Sequence, residues 1–173
     1  MIKIGISSCL LGHPVRYDGE DRREHVLIHA LGEYFQLVPV CPEVEYGLPV
    51  PREPMRLTGS PAAPRLITIS TGVDHTDAML QWIRGKIEYL SGENLCGFIF
   101  KSRSPSCSAG GVEVYSPSGG RNKRAAGIFS RAFMRHFPSV PVEEETGLYT
   151  ARAREEFIER VIDFSRKQPQ GAD

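Results

Sequence analysis

The chain holds four cysteines, Cys9, Cys41, Cys96 and Cys107, and none of them belongs to a C-x-x-C pair. The spacing of zinc fingers and thioredoxin-like sites is therefore missing. Three of the four nevertheless share a setting. An apolar run leads into Cys9 in "KIGISSC" and into Cys41 in "LVPVC", and "CGFIFKSRSPSC" leads into Cys107. Cys9 and Cys41 end the first two expected strands, and Cys107 follows the end of the fourth. In a parallel sheet those ends lie on one edge, the edge outside which open α/β sheets bind ligands. Three thiolates select a soft metal: zinc, copper(I) or an iron–sulfur cluster. Structural zinc takes a fourth protein ligand, and none is evident. A three-ligand site keeps one metal position open, which suits catalysis. Cys96 begins its strand instead of ending it. At ~3.3 Å per residue it lies roughly 15 Å from the rim, so it reads as a buried structural thiol.

The elements that must position these thiols follow from the apolar pattern. Strands are expected over 3–7, 37–41, 65–70 and 96–102, with weaker ones over 111–116 and 140–144. Pro39 moves the second toward an edge. Helical spacing appears over 22–35 (Leu27, Leu31, Phe35) and over 76–91 (Met79, Ile83, Ile87, Leu90). It appears again over 126–137 (Phe129, Phe133, Phe137) and over 150–166 (Phe157, Val161, Phe164). Apolar runs alternating with amphipathic helices predict an α/β fold: a three-layer, Rossmann-like domain with a mostly parallel sheet, spanning 1–173 as one domain. The Pro/Gly-rich stretch 42–64 is too long for a simple connector and reads as a functional loop.

Composition narrows the function. Hydrophobic residues make up 40% and charged residues 24%, as in an ordinary globular protein, and formal net charge is zero. That balance argues against a nucleic-acid polymer or a polybasic membrane contact as partner. No apolar run approaches the ~18 residues of a spanning helix. "MIKIGISSC" reads as a strand and not as a signal peptide, so the cytoplasm is the expected compartment.

Four blocks, "ISSCLLGHPVRYDG", "CPEVEYGLPVPREP", "TGVDHTD" and "KSRSPSC", resemble the signature blocks of the thiouracil desulfidase family, in that family's order and across most of residues 6–107. The resemblance implies a 4Fe–4S cluster held by three cysteines, matching Cys9, Cys41 and Cys107, with one open iron. It implies removal of sulfur from a thiolated uracil compound without net redox change. It also implies two catalytic side chains, Glu43 of C-P-E and Ser104 of S-P-S-C. Family members usually follow S-P-S-C with Gly, whereas Ser108 stands here.

The residues themselves support parts of this chemistry. Glu43, two positions from a thiol, suits a general base for attacking water, and otherwise reads as a loop carboxylate capping a turn. Ser104 alone reads as a turn residue before proline, but its hydroxyl suits a substrate hydrogen bond. Asp18 lies in the turn-forming "RYDG", and Arg52 lies on the long loop; both are candidates to face the site. Arg121, Lys123 and Arg124 precede a helix and glycines, a setting for a phosphate; Ser7 and Ser8 are the other candidates to hold one. The expected substrate is 4-thiouracil, 4-thiouridine or, by the weight of that anion site, its 5′-monophosphate. Two other readings use the same three thiols: a zinc-thiolate hydrolase, and a non-enzymatic thiol or cluster sensor.

Overall fold

The computed structural model describes residues 1–120 and 123–168. In chain order the elements are β1 (Ile2–Ser7), α1 (His25–Gly32), β2 (Phe35–Val40), α2 (Pro42–Tyr46), β3 (Met55–Ser60), β4 (Ala63–Thr68), α3 (Thr76–Gly92), β5 (Phe98–Phe100), β6 (Val112–Tyr115), β7 (Lys123–Ala125), α4 (Ile128–His136), β8 (Val142–Glu144) and α5 (Ala151–Lys167). The main sheet has the order β2-β1-β5-β8, and every neighbouring pair in it is parallel. The expected edge position of Pro39 holds: β2 is an outer strand, where a missing N–H costs no ladder bond.

The central strand β5 explains the layering. Phe98, Ile99 and Phe100 are all fully buried. Phe98 and Phe100 point to one face, into a core with Phe129 and Phe133 of α4 and Met79 and Ile83 of α3. Ile99 points to the other, joining Ile4 and Ile6 with Leu27 and Leu31 of α1 and Phe157 and Val161 of α5. The sheet is thus covered on both sides, as a parallel sheet requires. Phe98 and Phe133 meet edge to face with ring centroids 4.8 Å apart. Truncating either to alanine would cost about 3–5 kcal/mol. Gly5 on β1 is part of this packing, because a Cβ there would lie 2.3 Å from the Phe98 ring.

Three expectations change. The stretch 42–64 is not a structureless loop: it carries α2 and β3. The strands expected over 65–70 and 111–116 form, but in a second sheet of order β4-β3-β6-β7. There β3 and β4 pair antiparallel as a hairpin, β3 and β6 pair parallel, and β6 and β7 pair antiparallel. Leu57, Leu66 and Val114 turn one face of this sheet into the core shared with α3 and α4. Finally, β5 stops at Phe100, because the Lys101 amide donates to the Ser7 hydroxyl at 3.0 Å instead of extending the ladder. Among the described residues no helix is long and apolar enough to cross a membrane.

Candidate active site

The carboxyl ends of β2, β1 and β5 are neighbours, and each delivers one thiol to the same place. A cavity of about 390 Å³ opens there, lined by Cys9, Cys41 and Cys107. Cys9 enters through a 3-10 turn, Ser8–Leu11, that begins where β1 ends. The Cys9 carbonyl accepts from the amides of Gly12 (3.2 Å) and Arg22 (2.9 Å), which fixes the turn. Cys41 caps the N-terminus of α2, with Pro42 at the first helical position. The Cys41 amide donates to Glu45 Oε1 at 2.9 Å, a carboxylate reaching back to the helix start. Cys107 is carried by the turn after β5. Cys96 is absent from this wall; it lies before β5, buried in the core beneath α1 and α5.

All four cysteines are free. Burial pushes the Cys9 thiol up to about 11, against the opposing pull of Lys101 and Arg16. Burial also raises Cys41, opposed by the Val44 amide and Arg52. Cys107 is raised well above an ordinary thiol, first by burial and then by Cys41 and Cys9. The three sulfurs are therefore close enough to disfavour one another's charge, and a cation between them would reverse the effect. Among the described residues no three His, Cys, Asp or Glu side chains close around a point as the ligands of a single ion would. The thiols line a chamber instead. Their soft donor set and that chamber fit a polynuclear thiolate-held group such as an iron–sulfur cluster.

Glu43 lies beside the thiols in the first turn of α2 and is largely buried. Both its oxygens are held. Arg52 Nε donates to Oε2 at 2.7 Å, and Ser106 Oγ donates to Oε1 at 2.7 Å. Arg52 in turn donates from Nη2 to the Val15 carbonyl at 2.9 Å, tying the long loop to the segment after Cys9. Ser104 accepts at Oγ from the amides of Cys107 (3.0 Å) and Ser106 (3.3 Å). Its hydroxyl thus fixes the turn that presents Cys107, and its own proton stays free to be donated into the cavity.

That turn rests on α4. The amides of Gly127, Ile128 and Phe129 donate to the carbonyls of Ser108, Pro105 and Ser106 at 2.8, 3.0 and 3.0 Å. A Cβ on Gly127 would lie 2.5 Å from the Ser106 carbonyl carbon, so only glycine allows this approach. Ser108 is fully buried; its hydroxyl lies 2.6 Å from Glu144 Oε1 of β8, which also accepts the Ala109 amide at 2.9 Å. The serine in place of the expected glycine is anchored from the neighbouring strand.

Of the residues expected at the site, Ser7, Ser8, Cys9, Cys41, Glu43, Arg52, Ser104 and Cys107 line the cavity. Asp18 does not, but it holds Arg16, which does: Arg16 Nε and Nη2 reach its two oxygens at 3.2 and 3.0 Å. This pairing draws the Asp18 carboxyl down to about 2. The proposed anion site ahead of α4 is not brought to the cavity. Lys123 and Arg124 lie on β7, and Arg121 lies outside the described residues. The first amides of α4 are already used by the Cys107 turn. Residues not expected also appear: Ser106 on Glu43, and Lys101, whose ammonium contacts buried Glu145. Glu145 also accepts the Ser102 amide at 2.7 Å, so it holds the stretch that leads into S-P-S-C. Ser106 sits in a quoted motif, but nothing in its spacing distinguished it from Ser104.

Fold and site together define an α/β protein with a thiol-walled pocket at the carboxyl edge of its parallel sheet. Comparison with known proteins makes this specific. The 2-thiouracil desulfurase family model matches residues 4–145, and the chain belongs to that family. It is 31% identical over 110 residues to the uncharacterized protein YbbK of Bacillus subtilis (strain 168), covering 61% of this chain and 72% of that one. It is also similar to the solved structure of the [4Fe-4S]-dependent thiouracil desulfidase TudS, with TM-score 0.67 and 29% identity over 86% of this chain and 93% of the other.

Proposed function

We propose that this chain removes sulfur from a thiolated uracil compound, with Cys9, Cys41 and Cys107 holding a 4Fe–4S cluster. The thiocarbonyl and water give the carbonyl and hydrogen sulfide, with no net redox change. The observation that carries this reading is the meeting of three free thiols, Glu43 and Ser104 in one cavity. Membership of the 2-thiouracil desulfurase family and the likeness to TudS support it. The free thiols accord with a reducing compartment such as the cytoplasm.

When bound, the cluster would supply a Lewis-acidic iron, free of a protein ligand, that polarises the thiocarbonyl. The chain's own residues do the rest. Glu43 takes a proton from the attacking water at one of its carboxylate oxygens. Ser106 and Arg52 hold that carboxylate in a fixed orientation, and general-base assistance of this kind contributes roughly 10²–10⁴-fold. Ser104 uses its free proton as a donor to the substrate. Arg16 and Lys101, each neutralised by a carboxylate, form a polar wall.

The test is anaerobic reconstitution with iron and sulfide. Analysis for iron, zinc and acid-labile sulfide follows, then a panel of 4-thiouracil, 4-thiouridine and 4-thiouridine 5′-monophosphate with sulfide detection. About four irons per chain and sulfide release are expected. Stoichiometric zinc with turnover would favour the zinc-thiolate hydrolase. A loaded cluster with no turnover on any thiolated pyrimidine would favour a sensor.

A further inference from the structure

One of the four sequence blocks, "TGVDHTD", lies away from the cavity wall. Its second half starts α3: Asp74 Oδ1 accepts the Thr76 amide at 2.9 Å, and Thr76 Oγ1 accepts the Leu66 amide at 2.8 Å. Its first half, Thr71-Gly72, has a different task. The chain turns there between β4 and α3. The Gly72 amide donates to the Thr68 carbonyl at 3.2 Å, with Gly72 at φ +69°, a left-handed backbone that glycine adopts freely. The turn grips a carboxylate from elsewhere, Glu53. The Thr71 amide donates to Glu53 Oε1 at 2.7 Å, and the Thr71 hydroxyl donates to Oε2 at 2.6 Å. The Ser70 amide also donates to Oε1. The Thr71 hydroxyl, together with the two amides, holds the Glu53 carboxyl below the ordinary carboxylate range.

Glu53 directly follows Arg52, the residue that holds Glu43. Arg52 Nε donates to Glu43 Oε2 at 2.7 Å, and the Arg52 amide donates to the Tyr17 carbonyl at 2.8 Å. Pro51 and Pro54 flank the pair. Each proline fixes its own φ, and Pro54 also confines Glu53 to extended backbone. The Pro54 carbonyl accepts the Ile69 amide at 3.0 Å, a second tie to the same turn. Adjacent residues of opposite charge are thus gripped by different partners, Arg52 by the cavity wall and Glu53 by the 68–72 turn. The stiff backbone between them passes a shift at one to the other.

We infer that Glu53 is a positioning residue for the reaction: clasped by Ser70 and Thr71, it fixes Arg52, and Arg52 fixes the carboxylate of Glu43. The inference rests on the proposed role of Glu43 as general base. A base works only within hydrogen-bond reach of the proton it takes. A misplacement of ~1 Å costs as much as ~10²-fold in rate, so a clasp outside the cavity still governs turnover inside it.

The experiment compares Glu53→Ala in the parent and in Glu43→Gln, both cluster-loaded, with 4-thiouridine as substrate. In the parent, Glu53→Ala should lower kcat roughly 10-fold, with iron and acid-labile sulfide retained and KM within about twofold. In the Glu43→Gln background the same change should cost less than about twofold, because the base it positions is gone. Thr71→Val, which removes one of the three donors, should cost about 3-fold in kcat, and Thr71→Ser should recover most of that. A second readout needs no turnover: exchange of the Arg52 Nε–H proton, followed by nitrogen-15 NMR on the cluster-free full chain. It should be at least about 10-fold faster in Glu53→Ala. Equal fold losses in the two backgrounds, a parental kcat, or a rate that falls only in step with iron overturns the inference and leaves desulfuration intact. If Glu53→Ala fails to fold, Thr71→Val in the same two backgrounds decides by the same criteria. A near-parental rate for Glu43→Gln alone removes the proposed base instead, and proton exchange then decides: faster exchange in Glu53→Ala sustains the hold of Glu53 on Arg52, and unchanged exchange overturns it.

Discussion

At the scale of single residues, Glu43 and the two serines of S-P-S-C divide the work. Glu43 is held at both oxygens, so a change to glutamine preserves shape and removes basicity. Glu43→Gln should retain iron and acid-labile sulfide yet lose roughly 10²–10⁴-fold in kcat. A near-parental rate would remove Glu43 from the mechanism. Ser106→Ala leaves Oε1 of Glu43 without its donor and should show a smaller loss of kcat with the cluster retained. Ser104→Ala removes the acceptor of the Cys107 amide, so iron content must be read beside activity. Iron lost in step with rate would make Ser104 a turn residue only. Asp18 invites a different measurement. Its carboxyl is lowered in the folded state by Arg16, so its contribution to stability is fully present above its ordinary range near 3.8. That contribution is lost as pH falls through about 2. The stability gap between parent and Asp18→Asn should therefore be constant from pH 7 to about 5 and close below about 4. A gap that widened on acidification would show that Arg16 has another partner.

At the scale of elements, the reason some of the fold was legible in the sequence is burial on a regular period. "KIGIS" and "GFIF" are buried on both faces and read as strands at once. Met79, Ile83, Ile87 and Leu90 mark the buried stripe of α3 in the same way. The second sheet was not legible as a sheet, since β3 buries only Met55 and Leu57 and ends in Thr-Gly-Ser, while β6 and β7 are short. The five residues of α2 are too few to show a helical period. Cysteine placement survived these gaps because it depends only on which end of each strand the thiol follows. What sequence could not give was the footing of the Cys107 turn. That footing is Gly127, whose own sequence context, "RAAGIF", looks like any helix start. Gly127→Ala would press a methyl group into the Ser106 and Cys107 backbone. We expect a loss of about 1–3 kcal/mol, as for overpacking elsewhere, accompanied by weaker iron retention. Unchanged iron content and thermal stability in this variant would mean that the turn and α4 move apart freely.

At the scale of the molecule, the three proposed ligands come from segments far apart in the chain but adjacent in the sheet, so a bound cluster would act as a cross-link. It would tie the ends of β1 and β2 to the turn after β5. The core itself does not depend on that tie: Phe98, Phe100, Phe129 and Phe133 pack on one face, and Ile4, Ile99, Phe157 and Val161 on the other, away from the cavity. Removing the cluster should therefore lower stability without unfolding the chain. A ligand bound at about 100 times its Kd stabilises the folded state by about 2.7 kcal/mol. For a domain of this size that corresponds to a Tm difference of roughly 5–10 °C. The comparison is anaerobic circular dichroism melts of cluster-loaded and chelator-treated protein, with far-ultraviolet spectra unchanged at 20 °C. Cys96→Ser should keep parental iron content and the full Tm difference, because Cys96 sits on the opposite edge of the sheet. Each of Cys9→Ser, Cys41→Ser and Cys107→Ser should abolish both. Iron lost on changing Cys96, or retained on changing any of the other three, would break the link between strand direction and ligand choice on which the whole arrangement stands.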